Sequence, residues 1–125
     1  MPNTFNRVYV YFNLHKLLFS IRALSGPQKN RVVNHSSFVT LENVTFRVGE
    51  GGRQRVLREQ KKNVHAGVVG EVISFEQNLH IPPTAVKVTY NPYKSGNFYV
   101  VDTGEPVFSA KKVYLENKKI YVLEI

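Results

Sequence analysis

The stretch Gly49-Glu50-Gly51-Gly52-Arg53-Gln54-Arg55-Val56-Leu57-Arg58-Glu59-Gln60-Lys61-Lys62-Asn63-Val64-His65-Ala66 decides the fold, because the hydrophobic period changes inside it. On either side apolar residues recur at every second position, as strands require. From Arg53 to Ala66 they recur at a spacing near 3.6, which predicts a helix. At about 100° per residue, Val56, Leu57 and Val64 share one stripe, while Arg55, Arg58, Lys62 and His65 fall on the opposite face. Arg53 and Gln60 land on the apolar stripe and are the polar residues expected to point inward. Gly49 to Gly52 read as a flexible junction before the helix, and Gly67 as a left-handed cap after it.

Working back toward the start, Arg7 to Leu24 alternates with period two: Val8, Val10, Phe12 and Leu14 on one face, Tyr9 and Tyr11 on the other, then Leu17, Phe19 and Ile21. This reads as a β-hairpin. Ser25-Gly26-Pro27 breaks it, Arg31 to Val33 is extended again, and Phe38 to Leu41 and Val44 to Val48 are β-branched and aromatic around a turn or bulge at Glu42-Asn43. Beyond the helix, strands are expected at Val68 to Phe75, Ala85 to Tyr90, Phe98 to Asp102, Val107 to Ala110, Lys112 to Leu115 and Ile120 to Glu124. A polar loop, Glu76 to His80 with Pro82-Pro83, divides the first two. The expected fold class is α+β: an antiparallel sheet or small barrel with one principal α-helix between N-terminal and C-terminal β sections, residues 1–125 forming a single domain.

The chain has no cysteine, which excludes a disulfide scaffold, a thiol nucleophile and thiolate-held zinc. No apolar run approaches the roughly 20 residues of a membrane helix, and Met1 to Arg7 does not read as a leader, so the expected setting is cytoplasmic. Seventeen Lys and Arg against nine acids give a formal charge of +8, which favours polyanionic partners. From Arg53 to His65, five cations against one Glu place +4 of that +8 in about a tenth of the chain.

Two constellations could bind. Glycines ahead of a helix N-terminus offer free N–H groups and the positive dipole end to an anion, with Arg53, Arg55, Arg58, Lys62 and His65 adding cationic donors. The same residues also describe an ordinary solvated helix face. In Tyr90-Asn91-Pro92-Tyr93-Lys94-Ser95-Gly96-Asn97-Phe98-Tyr99, aromatics such as Tyr93 and Phe98 can stack on a base and Asn91 can read its edge; Asn-Pro and Ser-Gly are equally plain turn formers. Catalysis is poorly supplied: Asp102 is the single Asp, the four histidines have no metal-ligand spacing, and His35 beside Ser36-Ser37 is the nearest approach to a nucleophile pair. The expectation is a binding protein, not an enzyme, with no metal and no cofactor.

Val8-Tyr9-Val10-Tyr11-Phe12-Asn13-Leu14-His15-Lys16, Gly52 to Arg58, and Lys62 to Gly70 resemble segments of small proteins of tailed bacteriophages. In size, charge and β-rich layout the chain is similar to the Thoeris anti-defence sponges, which sequester cyclic ADP-ribose signals. That resemblance implies a homo-oligomer with sites between subunits, arginines on pyrophosphate and an aromatic on adenine, roles that would fall to Arg53, Arg55, Arg58, Asn91, Tyr93 and Phe98. The leading expectation is sequestration of a nucleotide-derived immune signal, a phosphate-bearing small molecule. A DNA- or RNA-binding module, or a protein inhibitor of a host enzyme, would use the same basic helix. Tyr9 and Tyr11 on a second sheet face also argue for an oligomer that covers them.

Overall fold

A computed structural model of the chain describes residues 7–60, 64–76 and 81–124. Met1 to Asn6, the expected helical residues Lys61-Lys62-Asn63 and the loop residues Gln77 to His80 lie outside the described residues.

The N-terminal hairpin is β1 (Val8–Asn13) and β2 (Leu18–Ala23), followed by β3 (Val32–Ser36) and β4 (Phe38–Val48). Helix α1 (Glu50–Glu59) leads to β5 (Ala66–Ser74), β6 (Val86–Thr89), β7 (Phe98–Val100), β8 (Pro106–Val107), β9 (Ser109–Glu116) and β10 (Lys119–Leu123). All ten strands belong to one sheet in the order β3-β2-β1-β5-β4-β9-β10-β6-β7-β8.

The expected α+β class is therefore corrected. Among the described residues 53% are strand and 9% helix, so this is a β fold with one short helix as an insertion between β4 and β5. The helix starts earlier and stops sooner than the periodicity implied. Gly51 and Gly52 lie in its first turn, and Gln60 ends it in the left-handed region (φ 56°), its N–H donating to the Val56 carbonyl at 2.8 Å. Gly67 is not a cap but a strand residue, and β5 already begins at Ala66.

The Glu42-Asn43 punctuation is a bulge inside one long strand: Asn43 has φ 52° and the β4–β5 register slips between Glu42 and Thr45. One face of the sheet carries Val8, Val10, Phe19, Ile21, Leu41, Val113, Val88 and Phe98, all at most 5% exposed. Only one short helix among the described residues is available to cover so wide a face, so the sheet curls over itself. Phe46 on β4 and Phe98 on β7 are four strand steps apart, about 19 Å if the sheet were flat; their ring centroids are 5.0 Å apart. The Phe46 N–H also donates to the Phe108 carbonyl at 2.9 Å, which extends the β4–β9 ladder by one residue.

The second face is covered from within the chain at Tyr9. That ring is only 7% exposed, with the Arg22 guanidinium 4.9 Å above its centroid and the Tyr11 ring 5.9 Å away. The tyrosine argument for an oligomer lapses at this residue.

Candidate functional site

The curl leaves a cleft of about 790 Å³ between the β1–β2 hairpin and the β6–β7 region. Phe12 and Phe19, edge to face at 5.4 Å, form one wall; Tyr90, Tyr93, Phe98 and Tyr99 form the other. Val56 and Gln60 from the end of α1, with His65, close one side. Lys118, in the turn between β9 and β10, reaches the opposite wall, its Nζ 5.5 Å from the Phe12 ring. Leu14, Val64 and Tyr93, each strongly exposed for an apolar side chain, rim the opening.

His65 is held by the helix. Its carbonyl accepts the Gly49 N–H at 2.6 Å, and a side chain at Gly52 would put its Cβ 2.5 Å from the His65 Cβ, so that glycine makes room for the imidazole. Nε2 lies 2.6 Å from the Tyr90 hydroxyl, and the two rings meet edge to face. The Tyr90 ring then packs on Phe98, 5.2 Å between centroids. Burial pushes the Tyr90 phenol above its ordinary range; Arg53 opposes this and Glu50 adds to it. A protonated phenol at neutral pH donates to the imidazole when that ring is neutral.

Of the sequence-predicted residues, His65, Asn91, Tyr93 and Phe98 line the cleft. Phe98 does so as a core residue, 5% exposed between Phe46 and Tyr90, which leaves no free face for a base. The Asn91 Oδ1 is spent on the Tyr93 N–H at 3.0 Å, an Asx turn that shapes the loop. Tyr93 alone of these rings stands free, 62% exposed.

The helix cations are not in the cleft. Arg53 turns inward as its stripe position predicted, donating from Nε to the Pro92 carbonyl at 3.2 Å and lying against Gly96, so it fastens α1 to the 91–96 loop. Arg55 is solvated, and Arg58 is 71% exposed at 3.9 Å from Glu59. Glu50 sits in the first turn, where it complements the dipole, accepts from Gln54 at 2.8 Å and pairs with Arg53 at 3.5 Å. The helix N-terminus thus carries its own carboxylate. Lys62 lies outside the described residues.

Sequence reasoning singled out the 90–99 stretch that opens with Tyr90 but missed Phe12, Phe19 and Lys118, which come together only once the sheet curls. His35 faces Ser20, not its neighbours: Nδ1 is 3.1 Å from the Ser20 Oγ, which also accepts from Asn13 at 3.1 Å. Ser20 is fully buried and so closed to a substrate. Among the described residues no group of three or more His, Asp or Glu could hold a metal ion, and no helix is long and apolar enough to cross a membrane.

Fold and cleft define a small antiparallel β protein with a ligand-sized aromatic hollow inside a curled sheet. Residues 1–123 match the family described as Mycobacterium phage L5 gene 82 protein, and the chain belongs to that family. The Gene 82 protein of Mycobacterium phage L5 is 39% identical over 122 residues, covering 91% of this chain and 93% of that protein. No solved structure matches. The bacteriophage resemblance is thereby established, and neither comparison extends it to the Thoeris sponges.

Proposed function

We propose that the protein binds and sequesters a small planar ligand in the aromatic cleft and does no covalent chemistry on it. The carrying observation is the cleft itself: at about 790 Å³ it falls in the range of small-molecule sites, with apolar walls and a few polar groups, His65 and Lys118 among them, to orient a guest. Stacking against an aromatic wall contributes about 1–3 kcal/mol per base. Lys118 at the mouth suits a ligand with an anionic group, and the basic surface of +8 favours its approach.

The finer reading is a phage anti-defence protein whose ligand is a nucleotide-derived immune signal of the cyclic ADP-ribose or cyclic oligonucleotide type. Support for it comes from membership of a phage family and from a cleft whose volume and exposed Tyr93 ring suit a base. Calorimetric titration with cyclic ADP-ribose isomers, cyclic oligonucleotides and mononucleotides tests both levels. Saturable heat lost in Tyr93→Ala and Lys118→Met supports the cleft, and the ligand that gives it identifies the class. No heat from any nucleotide would end the finer reading.

A further inference from the structure

On the outer face of the sheet, away from the core, two arginines flank a tyrosine and neither has an acidic partner among the described residues. Arg22 on β2 is directly opposite Tyr9 on β1, and Arg47 on β4 is directly opposite Gly67 on β5. Gly67 is the link between them. A Cβ there would fall 2.6 Å from Tyr9 Cζ, the ring carbon that bears the hydroxyl, so the ring leans over the glycine toward Arg47.

We propose that Arg22, Arg47 and the Tyr9 hydroxyl form a binding site for a phosphate-type oxyanion, separate from the cleft. The Arg22 guanidinium carbon lies over the Tyr9 ring, 4.9 Å from its centroid, and among the described residues no hydrogen bond or ion pair uses its donors. Its Nε is buried with no acceptor among the described residues, which costs stability, while its terminal nitrogens are not sealed from solvent and can meet an anion. The Tyr9 hydroxyl also makes no hydrogen bond among the described residues and is not sealed from solvent. Arg47 is exposed and has no ion-pair or hydrogen-bond partner among the described residues. The nearby acid on β5, Glu71, is engaged by Arg7 at 3.8 Å and Asn43 at 3.3 Å. Both arginines, and no carboxylate, act on the Tyr9 phenol electrostatically, although burial outweighs them and leaves its proton more firmly held. Unspent donors around a guanidinium stacked on an aromatic match the planar fork that phosphate oxygens accept.

The anion could be a free phosphate or the phosphodiester of a single-stranded nucleic acid, and the test separates these sources. Nitrogen-15-labelled full-length protein is titrated with inorganic phosphate in one arm and with a single-stranded oligonucleotide in the other, following arginine Nε–H resonances. Arg22→Lys assigns the Arg22 signal; Arg47→Met, at an exposed position, and Tyr9→Phe test the other donors without emptying the core. The expected result is a saturable shift of the Arg22 Nε–H, with affinity weakened roughly tenfold to a hundredfold in Arg47→Met. A shift in the phosphate arm identifies a small anion. A shift confined to the oligonucleotide arm, with a salt dependence that falls by about one phosphate in Arg47→Met, identifies a nucleic-acid strand. An unmoved Arg22 signal in both arms, or undiminished binding by Arg47→Met, overturns the site. Because Tyr93 and Lys118 are untouched, this outcome leaves the cleft's ligand binding unaffected.

Discussion

The imidazole Nε2 of His65 and the hydroxyl of Tyr90 lie 2.6 Å apart, joining the residue just before β5 to the residue just after β6. The bond is part-buried, so deleting the hydroxyl removes a hydrogen-bond partner from the imidazole beside the apolar wall. Tyr90→Phe keeps the packing on Phe98 and removes only that partner. The expected loss is about 0.5–1.5 kcal/mol of unfolding free energy, read from urea denaturation with an unchanged slope.

Tyr90 and Tyr9 both hold their protons more tightly than free tyrosine, in each case chiefly through burial. An unfolded tyrosine ionises near pH 10. In the folded chain these two ionise above that, so just past the unfolded value it is the unfolded chain that releases the protons, and rising pH draws the equilibrium toward it. Their contribution is intact below about pH 10 and disappears as pH climbs through the folded values. Denaturation midpoints should fall from about pH 9 to about pH 11. Tyrosinate absorbance should show a late-titrating fraction that shrinks in Tyr90→Phe.

Gly51 and Gly67 make opposite predictions from the same substitution. A Cβ at Gly51 meets nothing within 4 Å, so Gly51→Ala gains helix propensity and should stabilise by roughly 0.5–1 kcal/mol. At Gly67 the Cβ would lie 2.6 Å from both Tyr9 Cζ and the Val10 carbonyl oxygen. The tyrosine can move only by leaving the Arg22 guanidinium, and the carbonyl belongs to β1. Gly67→Ala should destabilise by about 1–3 kcal/mol, with thermal unfolding as the check. An equal response at both positions would contradict this account of Gly67.

The strands were legible because each is a local alternation: Val8, Val10 and Phe12 against Tyr9 and Tyr11 needs no knowledge of what lies beyond the hairpin. The fold class was not, because the helical period after Gly52 measured propensity and not length. Gln60 turns left-handed and Gly67 serves Tyr9, facts that depend on contacts far along the chain. The Glu42-Asn43 signal was ambiguous for the same reason, since a turn and a bulge share their residues and only pairing with β5 distinguishes them. At the cleft, the sequence marks His65 as part of a basic helix face and Tyr93 as a stacking aromatic, and both line it. Phe12 and Lys118 were beyond reach because they meet across at least three strand steps of a sheet whose curl has no local signature.

Arg53 and Arg55 are both helix arginines, and charge counting treats them alike. The structure separates them: the Arg53 side chain is 19% exposed and its Nε donates to the Pro92 carbonyl, whereas Arg55 is solvated. Removing Arg53 releases that carbonyl, uncovers Gly96 and frees the loop bearing Tyr93, on the rim of the cleft. Arg53→Ala should therefore cost about 1–2 kcal/mol and raise amide exchange across residues 91–96. Arg55→Ala should stay within about 0.5 kcal/mol of the parent. Any ligand held by Tyr93 should dissociate faster from Arg53→Ala, since a loosened loop must be ordered again on binding. Matching losses of ligand affinity in the two variants would instead point back to the helix's charge as the binding element.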